Sequence, residues 1–261
     1  MFQQIRQLLG AIVLSLACIT VIGSLQIPKL NYLKSTKPTL SQAELNRQIE
    51  AENLYLTLTQ KLPALGFDNL VADWTLIRFL QYFGDDEARG RTDYRLSPEY
   101  FEIILKRDPR FLEAYFFLSG STSLYAGMPE RTIALMNQGL KFVTPQIPPR
   151  SFYIWRYKGT DELLFLGDAK ASEQSFITAA DWAATYPDQE SQQISYVSRR
   201  TAQFLANNPQ SKNAQVAAWS LVLNNARDDR TRQIAIDRIR ILGGDVVASP
   251  QGFRIIPPAK D

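Results

Sequence analysis

The sequence predicts an all-α protein: helical hairpins stacked in series, one membrane-spanning helix before them, and a small β-hairpin after them. Three observations predict it. Apolar residues recur at helical spacing between regularly placed Pro, Gly and Asp stops. Helix pairs joined by short turns return about every 35–40 residues. The stretch Leu8 to Leu25, LLGAIVLSLACITVIGSL, carries no charge, while strand-like sequence occurs only near the C-terminus.

Composition narrows the function classes. Of 261 residues, 45% are hydrophobic and 21% charged, which suits a globular body with a sizeable core. The net charge is +3 and the Lys and Arg are scattered. No basic stripe is available to neutralise phosphates, so no nucleic-acid partner is expected. There is no histidine, the usual general base and commonest metal ligand. The one cysteine, Cys18, permits neither an internal disulfide nor a Cys-type zinc site. No metal, cofactor or catalytic residue is therefore expected, and an enzyme reading survives only as carboxylate chemistry.

At about 1.5 Å per residue, Leu8 to Leu25 spans about 27 Å, close to the hydrocarbon thickness of a bilayer. A retained single-span anchor is the first reading of residues 1–28. A cleaved signal peptide with Val21-Ile22-Gly23 at its cleavage site is the second, and a buried helix the third. Arg6 favours a cytoplasmic N-terminus, whereas Lys29, Lys34 and Lys37 oppose it. Following the usual behaviour of a short N-terminal anchor, the body is expected outside the cytoplasm, in the periplasm or the thylakoid lumen.

Residues 29–40, with Pro38 and three lysines, read as a linker, and residues 41–244 as the helical domain. Ser41 and Glu44 form a capping box for a helix that puts Leu45, Ile49 and Leu56 on one face. Phe67 to Phe83 is the next helix; a polar loop over 84–96 follows, long for a connection inside a repeat. It is expected to be mobile, to cap a groove, or to touch lipid headgroups through Arg89, Arg91 and Arg95. Ser97-Pro98-Glu99 opens a helix, with Ser97 as cap, that ends at Asp108-Pro109. Further helices are expected over 111–126, from Pro129 to before Pro145, and over 151–166, 169–185, 189–206, 210–226 and 229–242. In the tail, 245–261, Val246 to Ala248 and Phe253 to Ile256 flank a tight turn and predict the β-hairpin.

Two hairpins share a pattern. In one, Leu112-Glu113-Ala114-Tyr115 opens the first helix, Leu118-Ser119 is a large–small pair, and Gly127 turns the chain. Met136, Gly139 and Leu140 then lie in the second helix before Pro145. In the other, Trp155 leads, Gly159 is the small residue, Gly167-Asp168 turns, Phe176 and Ala179 pack, and Pro187 closes. This resembles the tetratricopeptide repeat, over about residues 66–187, with the helices of 189–242 as a continuation or cap. Each unit needs one or two extra residues to fit, and Thr132 and Ser172 stand where the pattern prefers Ala. Phe67 to Trp74 with Arg78 and Gln81 to Gly84 is also similar to bacterial membrane-anchored tetratricopeptide-like proteins, cyanobacterial ones among them.

The resemblance implies a solenoid of helical hairpins whose first helices line a concave, protein-binding groove. Carried over position by position, that groove holds Trp74, Arg78 and Gln81, then Glu113 and Phe116, then Tyr153, Arg156 and Thr160. The other reading has Trp74 packed on a neighbouring helix and Arg78 snorkelling. Leu76, Ile77, Leu80 and Phe83 suit the core. Asp73, at helical spacing from Ile77 and Leu80, is expected on the buried face with a polar partner. Asp85, Asp86 and Glu87 read as a solvated helix end, because they lack the ligand spacing of a calcium loop. The expected function is a membrane-tethered scaffold or assembly factor that binds a protein or peptide, or else an accessory subunit of a larger membrane complex, a photosynthetic one included.

Overall fold

The computed structural model describes residues 15–28, 30, 41–207, 212–226, 228–249 and 252–259. The chain forms two units, Met1–Glu44 and Leu45–Asp261. In the first, residues 15–28 form helix α1, apolar all round, with Leu16, Ile19, Ile22 and Leu25 exposed. Its hydroxyls are satisfied within the helix: Thr20 Oγ1 donates to Leu16 O at 2.8 Å and Ser24 Oγ to Val21 O at 2.9 Å. Among the described residues no helix is long and apolar enough to cross a membrane. Of the run 8–25 on which a transmembrane helix is expected, residues 8–14 lie outside those described, and the described part, from residue 15, is too short to span a bilayer. Residues 31–40 of the linker, the Asn208-Pro209 break and the Pro250-Gln251 turn also lie outside the described residues.

Helix α2 (Gln42–Lys61) starts as its sequence directs: the Glu44 backbone N–H donates to Ser41 Oγ at 3.2 Å. Leu45 and Leu56 are buried and Ile49 packs against the core beside them. Helix α3 (Asp68–Gly84) buries Ala72, Thr75, Phe79 and Tyr82. Two expectations fail on this helix. Asp73 is exposed, and Ile77 and Leu80, expected in the core, are 47% and 43% exposed. Helix α3 is apolar on nearly every side, so periodicity does not choose its inner face. The choice is made by α5 (Ser97–Arg107): the Phe79 ring lies 4.6 Å from Phe101 and 5.8 Å from Tyr100, turning the Asp73 row outward.

The segment between them is not a loose loop. Asp85 accepts from the Ala88 N–H and caps a short helix, α4 (Asp86–Arg89). Ala88, Arg89, Asp93, Tyr94 and Leu96 are buried, so neither a mobile loop nor a headgroup contact through Arg89 is observed. The cause is Tyr94, whose ring packs 5.1 Å from Phe83 and 5.3 Å from Tyr125. Ser97 is not a cap. It is already helical, behind Leu96, and its buried hydroxyl has no partner among the described residues.

Hairpins follow in series. Helix α6 (Leu112–Leu118) widens into a π-helical segment, Ser119–Tyr125, before α7 (Pro129–Gly139) returns. Helix α8 (Phe152–Asp161) widens likewise over Glu162–Leu166 before α9 (Ala169–Ala184). Helix α5 touches both α6 and α7, and α8 touches α6, α7 and α9. A Cβ at Gly159 would meet the Phe176 ring at 3.1 Å, so the small residue does allow the close crossing expected of it. In the preceding hairpin the close approach falls on Gly139, against Tyr115, rather than on Ser119.

Helix α10 (Gln189–Asn207) packs on α9 through small residues, Ser195 Oγ donating to Ala180 O at 2.8 Å. Helices α11 (Lys212–Asn225) and α12 (Asp229–Ile241) build a second core around Trp219, Val222, Ala235 and Ile239. They do not extend the hairpin series. They lie against the two π-helical segments, where Thr231 Oγ1 donates to Tyr125 O at 3.0 Å. Strands β1 (Asp245–Ser249) and β2 (Gly252–Ile256) pair antiparallel, Val246 opposite Ile255, as the tail predicts.

Candidate functional site

The expected groove residues split into two groups. On α6 and α8, aromatic rings line up along one face. Phe116, 59% exposed, lies 5.8 Å from Tyr157, which lies 6.2 Å from Tyr153. Arg156 is half-buried close to both tyrosines, and its Nε has no acceptor among the described residues. Thr160 is exposed and donates to Arg156 O at 2.9 Å. Tyr153 donates to Glu190 Oε1 at 2.7 Å, and Arg150 pairs with the same carboxylate, so α10 closes this end of the face. Those two hydrogen bonds, Tyr153's first, hold the Glu190 carboxyl below its ordinary pKa. Tyr157 was missed by the sequence reading. Its signal is the i, i+4 spacing from Tyr153, which puts both on one side of α8.

The α3 group is different. Trp74 is 54% exposed and Gln81 is exposed, but Arg78 is engaged within the fold. Its Nε donates to Glu52 Oε1 at 3.2 Å, its Nη2 pairs with Glu52 Oε2, and its guanidinium stacks 3.9 Å over the Tyr55 ring. Trp74 and Glu113 make no hydrogen bond, ion pair or ring contact with the rest of the set among the described residues. Trp74 joins an exposed apolar row instead, with Leu70 and Ile77 on its own helix and Phe67 at the helix's N-cap, and α2 carries Leu54 and Leu58 at i, i+4 with Leu62 just past its end.

Beside Arg78 lies a polar cleft of about 230 Å³ between α2, α3, α4 and α5, lined by Gln48, Glu52, Gln81, Tyr82, Arg89 and Tyr100 among others. Tyr100 donates to Glu52 at 2.7 Å; burial, and then that carboxylate, hold its phenol well above the usual value. Burial likewise pushes Tyr82 up to about 12. Both phenols are neutral at physiological pH.

A second polar constellation is wholly internal, and the sequence reading did not find it. Asp161, 1% exposed, accepts from Ser119 and Ser123 at 2.9 Å each; Ser123 Oγ also lies 2.9 Å from Thr132 Oγ1. One turn earlier and one residue later, Lys158 and Glu162 form a buried ion pair, and Ser175 of α9 donates to Glu162 at 2.6 Å. Burial raises Asp161 to about 7, against the lowering effect of the two serines. Both its oxygens are occupied by side chains from the neighbouring π-helical segment, so the carboxyl ties α8 to that segment. Among the described residues no group of three His, Cys, Asp or Glu is arranged to hold a metal ion. No family model, curated protein or solved structure matches this chain.

Proposed function

We propose that the chain is a tetratricopeptide-like, membrane-tethered scaffold or assembly factor, which holds a segment of another protein against the face of α6 and α8. The observation that carries this reading is the exposed Phe116 beside Tyr157, Tyr153 and Arg156. Aromatic and Arg side chains dominate contact energy at protein interfaces, and here they are fixed on rigid neighbouring helices. The repeat reading is supported by the hairpin series itself and by Gly159 against Phe176. It also explains the surplus residues in each hairpin: they fall where the first helix widens, since a π-helical turn accommodates an inserted residue without breaking the helix. The tether is supported by the uncharged run of residues 8–25 and the exposed apolar side chains of α1; in this reading the body lies in the periplasm or thylakoid lumen, as is usual behind a short N-terminal anchor. The reading contains no catalytic step, in keeping with a chain without histidine.

The test is recovery of partners from detergent-solubilised membranes of the native host, with Phe116→Ser plus Arg156→Ala as the comparison. At least a tenfold loss of a specific partner is expected. Equal recovery by the variant overturns the proposed face.

The apolar rows on α2 and α3 favour a second reading, an accessory subunit of a larger membrane complex. Leu54, Leu58, Leu62, Phe67, Leu70 and Trp74 are all at least half exposed, and exposed apolar side chains grouped in this way suit burial against a partner. Native gels of membrane extracts separate the two: constant comigration with one complex supports the subunit, substoichiometric association the factor.

A further inference from the structure

Arg89 is 5% exposed, yet no carboxylate pairs with it among the described residues. Its Nη1 donates to the Asp93 main-chain oxygen at 2.9 Å, its guanidinium stacks 4.0 Å over the Tyr82 ring, and its Nε has no acceptor among the described residues. The nearby carboxylate of Asp93 is occupied, accepting from the Arg95 backbone N–H at 2.9 Å and from Arg95 Nε at 2.8 Å. A buried cation without a counter-charge is costly, and proteins normally bury one only when it is paired.

Arg89 lines the polar cleft between α2, α3, α4 and α5. The other charges on its walls cancel, since Glu52 is held by Arg78 and by Tyr100. The cleft therefore carries one uncompensated positive charge. Gln48 and Gln81 offer exposed amides at its walls, and Ile49 and the Tyr82 ring offer apolar surface. Its volume, about 230 Å³, is below the range of drug-sized pockets and suits a compact metabolite. A planar guanidinium is the side chain best matched to a carboxylate or phosphate oxyanion.

We propose that this cleft is a binding site for a small soluble oxyanion, a phosphate ester or a short dicarboxylate, whose charge is met by Arg89. The site is separate from the α6–α8 face, and its occupation requires no protein partner. Anion binding then joins α2 to α3, α4 and α5 across a cleft that α2 otherwise spans mainly through Glu52.

The purified full-length chain in detergent is titrated with inorganic phosphate and with malonate, against sodium chloride at equal ionic strength, by calorimetry and thermal unfolding. Saturable binding of phosphate or malonate with a dissociation constant below about 1 mM is expected, together with a melting temperature that rises with ligand concentration. Which of the two binds tighter separates the phosphate source from the carboxylate one. Two variants at exposed positions, Gln48→Glu and Gln81→Glu, bring a carboxylate to the cleft from within the chain. At least one is expected to raise the melting temperature without ligand and to weaken anion binding tenfold or more. Arg89→Met is expected to abolish binding. If that variant does not fold, the two Gln variants decide the question. The proposal is overturned if neither anion shifts unfolding beyond the chloride control, or if anion binding keeps its wild-type affinity in both Gln variants or in a folded Arg89→Met.

Discussion

Replacing Asp161 with asparagine separates the charge of the internal polar cluster from its hydrogen bonds. The carboxyl is buried between α8 and the Ser119–Tyr125 segment. In its protonated form it donates to Ser123 Oγ, freeing the Ser123 proton for Thr132 Oγ1, while Ser119 still donates to its other oxygen. In its charged form it faces Glu162, a like charge, with Lys158 drawn to Glu162 and Ser175. The folded state thus favours the neutral acid. Its pKa rises from 3.8 to about 7, and at 1.36 kcal/mol for each tenfold the full difference is about 4 kcal/mol, an order-of-magnitude figure. Because the folded value is the higher one, the unfolded chain releases this proton first. The stability due to the neutral form is present in full below pH 4 and is lost as pH rises through about 7.

Between pH 5.5 and 7 the expected loss from this group is about 2 kcal/mol. The Asp161→Asn variant has no charge to expose there, keeps an acceptor for Ser119 and should lack that slope. The assay is urea unfolding of both proteins, followed by circular dichroism from pH 5.5 to 8. The free-energy difference, variant minus wild type, should grow by about 2 kcal/mol over that range and then level off. Parallel curves would refute the reasoning, because they would mean that Asp161 is ionised in the fold throughout.

Three further changes test the packing. Gly139→Ala should destabilise by about 1–3 kcal/mol in chemical denaturation, although alanine is the better helix former: its Cβ would come within 2.8 Å of Tyr115 Cζ and closer still to the phenolic oxygen. The buried Tyr115 ring has little room to retreat, since its hydroxyl donates to Pro109 O at 2.6 Å. Lys158→Met should cost about 3–5 kcal/mol by leaving Glu162 buried and unpaired, and adding Glu162→Leu should recover much of that loss in the same unfolding assay. Arg107→Ala should cost about 2 kcal/mol and speed amide hydrogen exchange in the last turn of α2, because Arg107 donates to Thr59 O and Leu62 O and pairs with Asp68 at 3.0 Å.

The helices were legible because each is bounded by local chemistry. Pro98, Pro129, Gly127 and Gly167 act on their own few residues, so the start of α7 and the turns after the two π-helical segments needed no tertiary information. The hairpin of β1 and β2 was legible for the same reason. The inner face of α3 was not, since Leu70, Trp74, Ile77 and Phe79 are all apolar and only the Phe101 and Tyr100 rings select among them. The polar core was illegible for a complementary reason: nothing local singles out Lys158, Asp161 and Glu162, whose partners Ser119, Ser123 and Ser175 are brought to them from other elements.

By itself, then, the sequence determined where the long helices and the terminal hairpin of this chain lie and where most of its turns fall, because those properties depend on neighbours a few residues away. Tertiary structure alone decided that Arg78 is tied to Glu52, that α11 and α12 fold back on the π-helical segments, and that Arg89 is buried without a counter-charge. Each of these joins residues far apart in the chain, and only packing decides which long-range partners meet and which side chains lose their water.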